Sequence, residues 1–234
     1  ILSTIYEQDF IDDSYGFRPG RGCHDALRAL SQEVEGERIH YIVDADIKGF
    51  FDNVDHEWLM KFLGHRIADK RVLRYVKRFL KAGIMENGAV SASDKGTPQG
   101  GIVSPILANI YLHYSLDLWF TRVFQKGCYG QSRMIRYADD FVVCFERESD
   151  AIRFRQALDE RLSIFGLEIS PEKTKTIEFG PVAEAKAKRR GGKAATFDFL
   201  GFTHYCSWSR NGRRFRMKRV TSRKKFTAKI RMFR

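Results

Sequence analysis

The stretch Met134-Ile135-Arg136-Tyr137-Ala138-Asp139-Asp140-Phe141-Val142-Val143-Cys144-Phe145 constrains the fold more than any other part of the chain. Two apolar runs rich in β-branched and aromatic residues flank a pair of acids, the pattern of a strand, a tight corner and a second strand. Both carboxylates then land at a hairpin tip. Adjacent like charges raise each other's pKa, so two ionised aspartates are costly there unless a cation lies beside them. Hard oxygen donors at such a tip suit magnesium. Asp is also a common turn residue, and Asp-Asp alone would read as an ordinary exposed corner. A third acid changes that. In Tyr41-Ile42-Val43-Asp44-Ala45-Asp46-Ile47-Lys48-Gly49-Phe50-Phe51-Asp52 a buried strand runs into Asp46 and a Gly-Phe-Phe turn, placing charge where apolar residues would pack better. A strand-end acid plus a hairpin pair is the carboxylate set that two-metal phosphoryl transfer needs. Asp44 is the rival for the strand position; alternation points it to the same face, one pair further from the turn.

Tyr137-Ala138-Asp139-Asp140, Asp46-Ile47-Lys48-Gly49-Phe50-Phe51-Asp52 and Gly96-Thr97-Pro98-Gln99-Gly100-Gly101 together resemble the motifs of group II intron-encoded reverse transcriptases, over nearly the whole chain. Tyr15-Gly16-Phe17-Arg18-Pro19, followed by Cys23-His24-Asp25-Ala26-Leu27, resembles the family's fingers-to-palm block, with Gly22 where Ser is usual. The resemblance implies an α+β fold: a polymerase palm-type antiparallel sheet carrying Asp46, Asp139 and Asp140, backed by helices, with part of the fingers. Residues 1–38 would be partial fingers, 39–208 the palm, and 209–234 a basic strand and the start of a thumb. The implied activity is RNA-directed DNA synthesis with two Mg2+ ions, the metal set being Asp46, Ile47, Asp139 and Asp140. Lys173 matches a lysine that approaches the leaving pyrophosphate.

The resemblance also assigns binding roles. Gln99 and Gly100 would lie over the templating pair and incoming nucleotide, and Phe51 under its sugar, with Phe50 as the core neighbour. Phe197-Asp198-Phe199-Leu200-Gly201-Phe202 resembles the block that grips the primer, where Gly201 permits close backbone approach. The implied partners are an RNA template, intron RNA above all, a DNA or RNA primer, and dNTPs. Competing readings are a splicing maturase with dispensable catalysis and a reverse transcriptase recruited to CRISPR adaptation or phage defence. An RNA-templated RNA polymerase is disfavoured by the bulk of Phe50-Phe51 where a 2′-hydroxyl needs room.

Charge distribution points to the same class of partner. Residues 186–234 hold 17 of the 41 Lys and Arg residues but only Asp198 of the 29 acids, so a near-neutral body ends in an intensely basic segment. Such asymmetry fits a polyanion held by that end. Lys218, Arg219, Arg223, Lys224 and Lys225 are candidate nucleic-acid contacts there, as are Arg18 and Arg21 in the Gly/Pro-rich stretch near the start. The run from Glu184 to Ala195 reads as a solvated, partly disordered tail. Beyond it, basic residues alternate with Phe215, Met217 and Val220 as in a folded strand. Cys23, Cys128, Cys144 and Cys206 are too scattered for a zinc site or a disulfide framework, which fits a reducing cytosol of bacterial or organellar type. No apolar run spans a bilayer, and a start at Ile1 without a signal pattern is read as that of a fragment.

Helices follow from 3.6-residue periodicity and caps. Leu27, Leu30 and Val34 give one face from Cys23 onward, with His24 a structural residue of the first turn. Asp55 caps a helix with Trp58, Leu59, Phe62 and Leu63 inward. The next, Asp69 to Ala82, should turn Val72, Val76 and Phe79 inward and its many basic residues outward, ending at Gly83. Asn87-Gly88 marks a small hairpin. Ser104 should cap a helix with Pro105 first and Leu107, Ile110, Tyr111, Tyr114 and Leu118 buried. Ser149-Asp150 begins another, with Phe154, Leu158, Leu162 and Phe165 inside and Gly166 at its end.

Overall fold

The computed structural model describes residues 1–36, 38–81, 84–86, 89–91, 95–97, 101 and 103–223. In chain order the elements are α1 (Leu2–Tyr6), α2 (Cys23–Glu35), β1 (Tyr41–Asp46), α3 (Phe50–Asn53), α4 (His56–Gly64), α5 (Lys70–Lys81), β2 (Ile84–Glu86), β3 (Ala89–Ser91), α6 (Ser104–Leu112), β4 (Ser132–Tyr137), β5 (Asp140–Phe145), α7 (Glu148–Ser163), β6 (Lys175–Glu178), α8 (Pro181–Arg189), β7 (Phe197–Phe199), β8 (Phe202–Trp208) and β9 (Phe215–Thr221). Two wide π turns, His113–Asp117 and Phe120–Phe124, prolong α6.

The organising sheet is antiparallel, in the order β4-β5-β1-β6. Because side chains alternate between its faces, Val43, Ala45, Phe141, Val143 and Phe145 pack with Leu59, Tyr111 and Phe154 of the helices on one side. Ile42, Ile135, Val142, Cys144 and Ile177 pack on the other with Leu27 and Leu30 of α2 and Phe199 and Phe215 of the three-stranded sheet β7-β8-β9. With both faces covered, β5 is apolar and buried from Phe141 to Phe145, each fully buried Phe or Val contributing roughly 1.5–3 kcal/mol. Asp44 and Asp46 follow Ile42 onto the α2 side.

Local signals set most boundaries. Asp55 Oδ1 accepts the Trp58 backbone N–H at 2.9 Å and starts α4, a cap of about 1 kcal/mol. In the β2–β3 hairpin Glu86 faces Ala89, while the Asn87-Gly88 turn lies outside the described residues, as does Gly83. Leu200 and Gly201, both at positive φ (49° and 84°), make the two-residue turn between β7 and β8. β9 pairs with β8 along its whole length, so a division at 208/209 falls inside one sheet.

Elsewhere the structure departs from periodicity. Phe79 is not inward: α5 docks through Val76 and Leu80, one turn apart, which leaves Phe79 about 100° round the helix and 55% exposed. Leu118 is only half-buried because the π turn before it shifts the phase and buries Leu116 and Asp117 instead. Val220 is exposed, since Phe215 and Met217 set a two-residue period that 220 breaks. Nor is the first part of the run from Glu184 to Ala195, up to Arg189, a disordered tail. Pro181 in the first turn and the following Ala-rich sequence support helix α8, anchored by buried Ala183 and by Lys186 on Glu178 at 2.5 Å. The helix after the Gly/Pro loop begins at Ser104 with Val103 as its cap, one residue ahead of expectation. Among the described residues no helix is long and apolar enough to cross a membrane.

Candidate active site

The β4–β5 turn is Ala138-Asp139, with Tyr137 opposite Asp140. Ala138 sits at φ 58°, a left-handed conformation that costs a residue with a Cβ about 1–2 kcal/mol, so the surroundings must hold it. They do so from beneath. Segment 13–17 runs along β4, where Tyr15 N–H donates to the Arg136 carbonyl at 2.8 Å and Arg136 N–H to that of Asp13 at 2.9 Å. Gly16 is pressed so closely on the turn that a Cβ there would stand 2.3 Å from the Ala138 nitrogen. The Arg136 guanidinium donates to the Ala138 carbonyl at 2.7 Å, to Asn109 Oδ1 at 3.1 Å, and to both Asp117 oxygens at 2.7 and 2.5 Å. Asn109 in turn donates to the Gly16 carbonyl at 2.6 Å. Asp117 lies on the first π turn, where Ser115 Oγ donates back to the Tyr111 carbonyl at 2.8 Å.

Above the turn the acids gather. Asp46 ends β1 directly opposite Asp140. Lys173 Nζ stands 3.0 Å from Asp46 Oδ2, brought there by segment 169–174, whose Ser170 N–H donates to the Asp46 carbonyl at 2.8 Å. A cleft of about 410 Å³ opens between this end of the sheet and β7, lined by Asp44, Asp46, Asp140, Lys173, Phe197 and Asp198. Burial holds the Asp139 carboxyl above its ordinary value and the charge of Asp46 adds to this, against its own backbone hydrogen bond and Arg136. Asp44 is pushed up to about 7, by burial first and then by Asp140 and Asp198. Among the described residues no three Asp, Glu, His or Cys side chains converge tightly enough to hold an ion alone. Magnesium asks for less: one or two carboxylates, with water and phosphate oxygens completing its shell. Mutually repelling carboxylates and an ammonium on Asp46 make this a place that favours cations, and hard oxygens fit that ion.

The remaining candidates fall in several places. Phe50 is buried edge-on to Tyr111, while Phe51 is half-buried beside it with ring centroids 5.3 Å apart. Thr97 N–H donates to the Phe51 carbonyl at 2.7 Å, laying the start of the Gly/Pro loop on the aromatic pair; Gln99 and Gly100 lie outside the described residues. Ile47 is buried and bridges Ile169. Lys218, Arg219 and Arg223 are exposed, with Arg219 over the Phe202 ring and Gly201 at the turn nearby; Lys224 and Lys225 lie outside the described residues. Arg21 pairs with Asp12 at 2.8 Å. Arg18 does not face phosphate. Its side chain is 2% exposed and is spent on Glu7 at 2.7 Å and on the Ile11 and Ser14 carbonyls at 2.6 Å, because the segment folds back around it. Sequence reasoning passed over Arg136, Asp117, Asn109 and Gly16. The available signal was a charge inside each of two otherwise apolar runs.

A family model for reverse transcriptases (RNA-dependent DNA polymerases) matches residues 1–204. The chain belongs to the reverse transcriptase family. Group II intron-encoded protein LtrA of Lactococcus lactis subsp. cremoris is 50% identical over 113 residues, 48% of this chain and 18% of that protein. The 91 kDa protein in the cob intron of Schizosaccharomyces pombe is 43% identical over 113 residues, 48% of this chain and 14% of that protein. Protein YkfC of Escherichia coli K12 is 35% identical over 170 residues, 61% of this chain and 45% of that protein. The matched stretches cover less than a fifth of LtrA and of the Schizosaccharomyces pombe protein and less than half of YkfC. Among solved structures, the apo telomerase of Candida tropicalis matches with a TM-score of 0.64 at 13% identity, over 87% of this chain and 42% of that one. The telomerase of Candida albicans, in complex with a fragment of telomeric RNA, matches at 0.60 and 14%, over 87% and 35%. The likeness is one of fold, an α+β palm-type sheet backed by helices.

Proposed function

We propose that the protein copies RNA into DNA, with Asp46, Asp139 and Asp140 holding two magnesium ions and the Ile47 carbonyl completing the set. The observation that carries this is the register that sets Asp46 against Asp140 beside the Asp139 turn, at one open cleft. Magnesium held by these carboxylates would lower the pKa of the primer 3′-hydroxyl and offset the charge of the triphosphate. The chain's own residues do the positioning. Arg136 and Gly16 fix the turn, Lys173 stands where it can pass from Asp46 to the departing pyrophosphate, and Phe51 packs beneath the incoming sugar. Group II intron RNA is the proposed template and binding partner, in a reducing cytosolic compartment.

In the full-length protein, Asp139→Asn and Asp46→Asn should abolish primer extension while RNA binding and thermal stability stay native-like, since each removes an acid from a repelling group. Extension within about tenfold of the parent, a barrier change under about 1.4 kcal/mol, would sink the assignment. Phe51→Ala should admit ribonucleotides. A ring against C2′ excludes a hydroxyl at about 1–3 kcal/mol, so the kcat/KM ratio of dNTP to matching rNTP should drop roughly ten- to a few-hundred-fold. A ratio that moves in Phe50→Ala instead would shift the gate by one residue.

A further inference from the structure

Helix α5 carries Lys70, Arg71, Arg74, Lys77, Arg78 and Lys81, all exposed, and no acid within its length. Two large rings share that surface, Tyr75 at 62% exposure and Phe79 at 55%. At about 100° per residue, Lys77, Lys81, Arg74, Arg78 and Arg71 sweep one arc in that order, and Tyr75 and Phe79 continue it. Val76 and Leu80 anchor the opposite side in the core. Arg74, Lys77, Arg78 and Lys81 line a groove of about 290 Å³. Lys77 and Lys81 also meet His56, Glu57 and Met60 of α4 in a second hollow of about 380 Å³.

A merely solvated helix is charged differently. α7 interleaves Glu148, Asp150, Asp159 and Glu160 with Arg153, Arg155 and Arg161, and Arg153 meets Asp150 at 3.1 Å. Along α5 the cations instead fall at i,i+3 and i,i+4 from one another, a spacing at which like charges destabilise a helix. Asp69 relieves this at the first turn, where it accepts the Arg71 N–H at 2.8 Å, and Glu57 of α4 lines the hollow beside Lys77 and Lys81, while Arg74 and Arg78 lie further round the arc. A flexible chain of phosphates with uncovered base faces satisfies both features at once, neutralising the arc and stacking on the rings. A duplex offers the phosphates but hides the faces.

We infer that the outer face of α5 binds single-stranded RNA outside the catalytic cleft, phosphates along the cationic arc and bases on Tyr75 and Phe79. The surface adjoins the polymerase site without belonging to it: His56 at the start of α4 meets the Gly96 carbonyl at 2.6 Å, next to the loop that lies on Phe51. That the strand is RNA rests on the proposed copying function; the fit to a flexible, base-bearing polyanion does not.

The test is fluorescence-anisotropy binding of an oligouridylate of about 16 nucleotides to the full-length protein, between about 50 and 200 mM salt. Replacing Arg74, Lys77, Arg78 and Lys81 with Gln should weaken binding at least about tenfold and flatten the log–log salt slope by about 2.8, or 0.7 for each lost phosphate contact. Tyr75→Ala with Phe79→Ala should weaken it at least about thirtyfold with the slope unchanged. A 4-thiouridine oligomer should crosslink to Tyr75 or Phe79. Binding within twofold of the parent in both variants overturns the proposal. So does an aromatic variant that loses heparin, which has no bases, as strongly as oligouridylate; that result would leave a plain polyanion patch. Asp139→Asn should bind like the parent, so the outcome is independent of whether the protein polymerises.

Discussion

The candidate catalytic turn has two sides, and each sets an aspartate against a cation in a different way. Beneath it Arg136 and Asp117 are wholly buried, joined by bonds of 2.7 and 2.5 Å and closed in by Asn109 and the Ala138 carbonyl. In the cleft above, Lys173 reaches Asp46 through one contact of 3.0 Å, with 69% and 41% of the two side chains exposed. A buried pair with its oxygens and donors engaged cannot rearrange without stranding a charge in a low dielectric. An exposed pair held at one point is screened by water and salt, and exchanges readily. The turn is therefore fixed from below and exchangeable from above, the division of labour that the proposed chemistry calls for between a rigid backbone and carboxylates open to cations.

The sharpest way to break this contrast is to strand a buried charge. Asp117→Asn or Arg136→Met should cost about 3–5 kcal/mol in denaturant unfolding. The double variant Arg136→Met with Asp117→Leu should recover most of that stability yet not primer extension, because the Ala138 carbonyl has lost its donor. Full recovery of extension would show that the turn needs no such anchor.

A somewhat smaller effect is expected within the cleft, at Asp44. Its folded carboxyl titrates near 7 against 3.8 in the unfolded chain, so the unfolded state gives up its proton first and the folded state is penalised progressively as pH rises between those values. Asp44→Asn removes the penalty. Stability should rise by at most about 4 kcal/mol at pH 8 and by clearly less at pH 5. An equal gain at both pH values would assign the effect to packing rather than charge.

The smallest expected change in stability is at the exposed pair. Lys173→Ala should shift unfolding by less than about 0.5 kcal/mol, while slowing extension at saturating dNTP at least tenfold. A large loss of stability would make Lys173 a structural partner like Arg136 and erase the distinction between the two sides.

How far the site was legible follows from the range of the interactions. The placement of Asp46 at a strand end and of Asp139 and Asp140 at a hairpin was readable because strand alternation and a two-residue turn are local, and pairing then set Asp46 opposite Asp140 with little freedom left. The Asp55 cap of α4 and the core faces of α2, α4 and α7 were readable for the same reason, whereas α7 starts at Glu148 with Arg147 as its cap, ahead of Ser149-Asp150. Phe79 and Leu118 were misread where the phase depended on which face docked or on a π turn that no period announces.

Arginine shows the boundary most clearly. Arg18 and Arg136 are alike in type, nothing beside either in the sequence marks it for the interior, and the fold buries both. By itself the sequence determined a palm-type α+β chain with its acids at one strand end and one hairpin, since those features arise from neighbours a few residues apart. Only the tertiary structure decided which charges face solvent. Arg18 is claimed by Glu7, and Arg136 by Asp117 and Asn109, groups 11, 19 and 27 residues away. A charge goes inside only where the folded chain supplies a partner to offset its desolvation, and that partner is chosen by packing rather than by order along the chain.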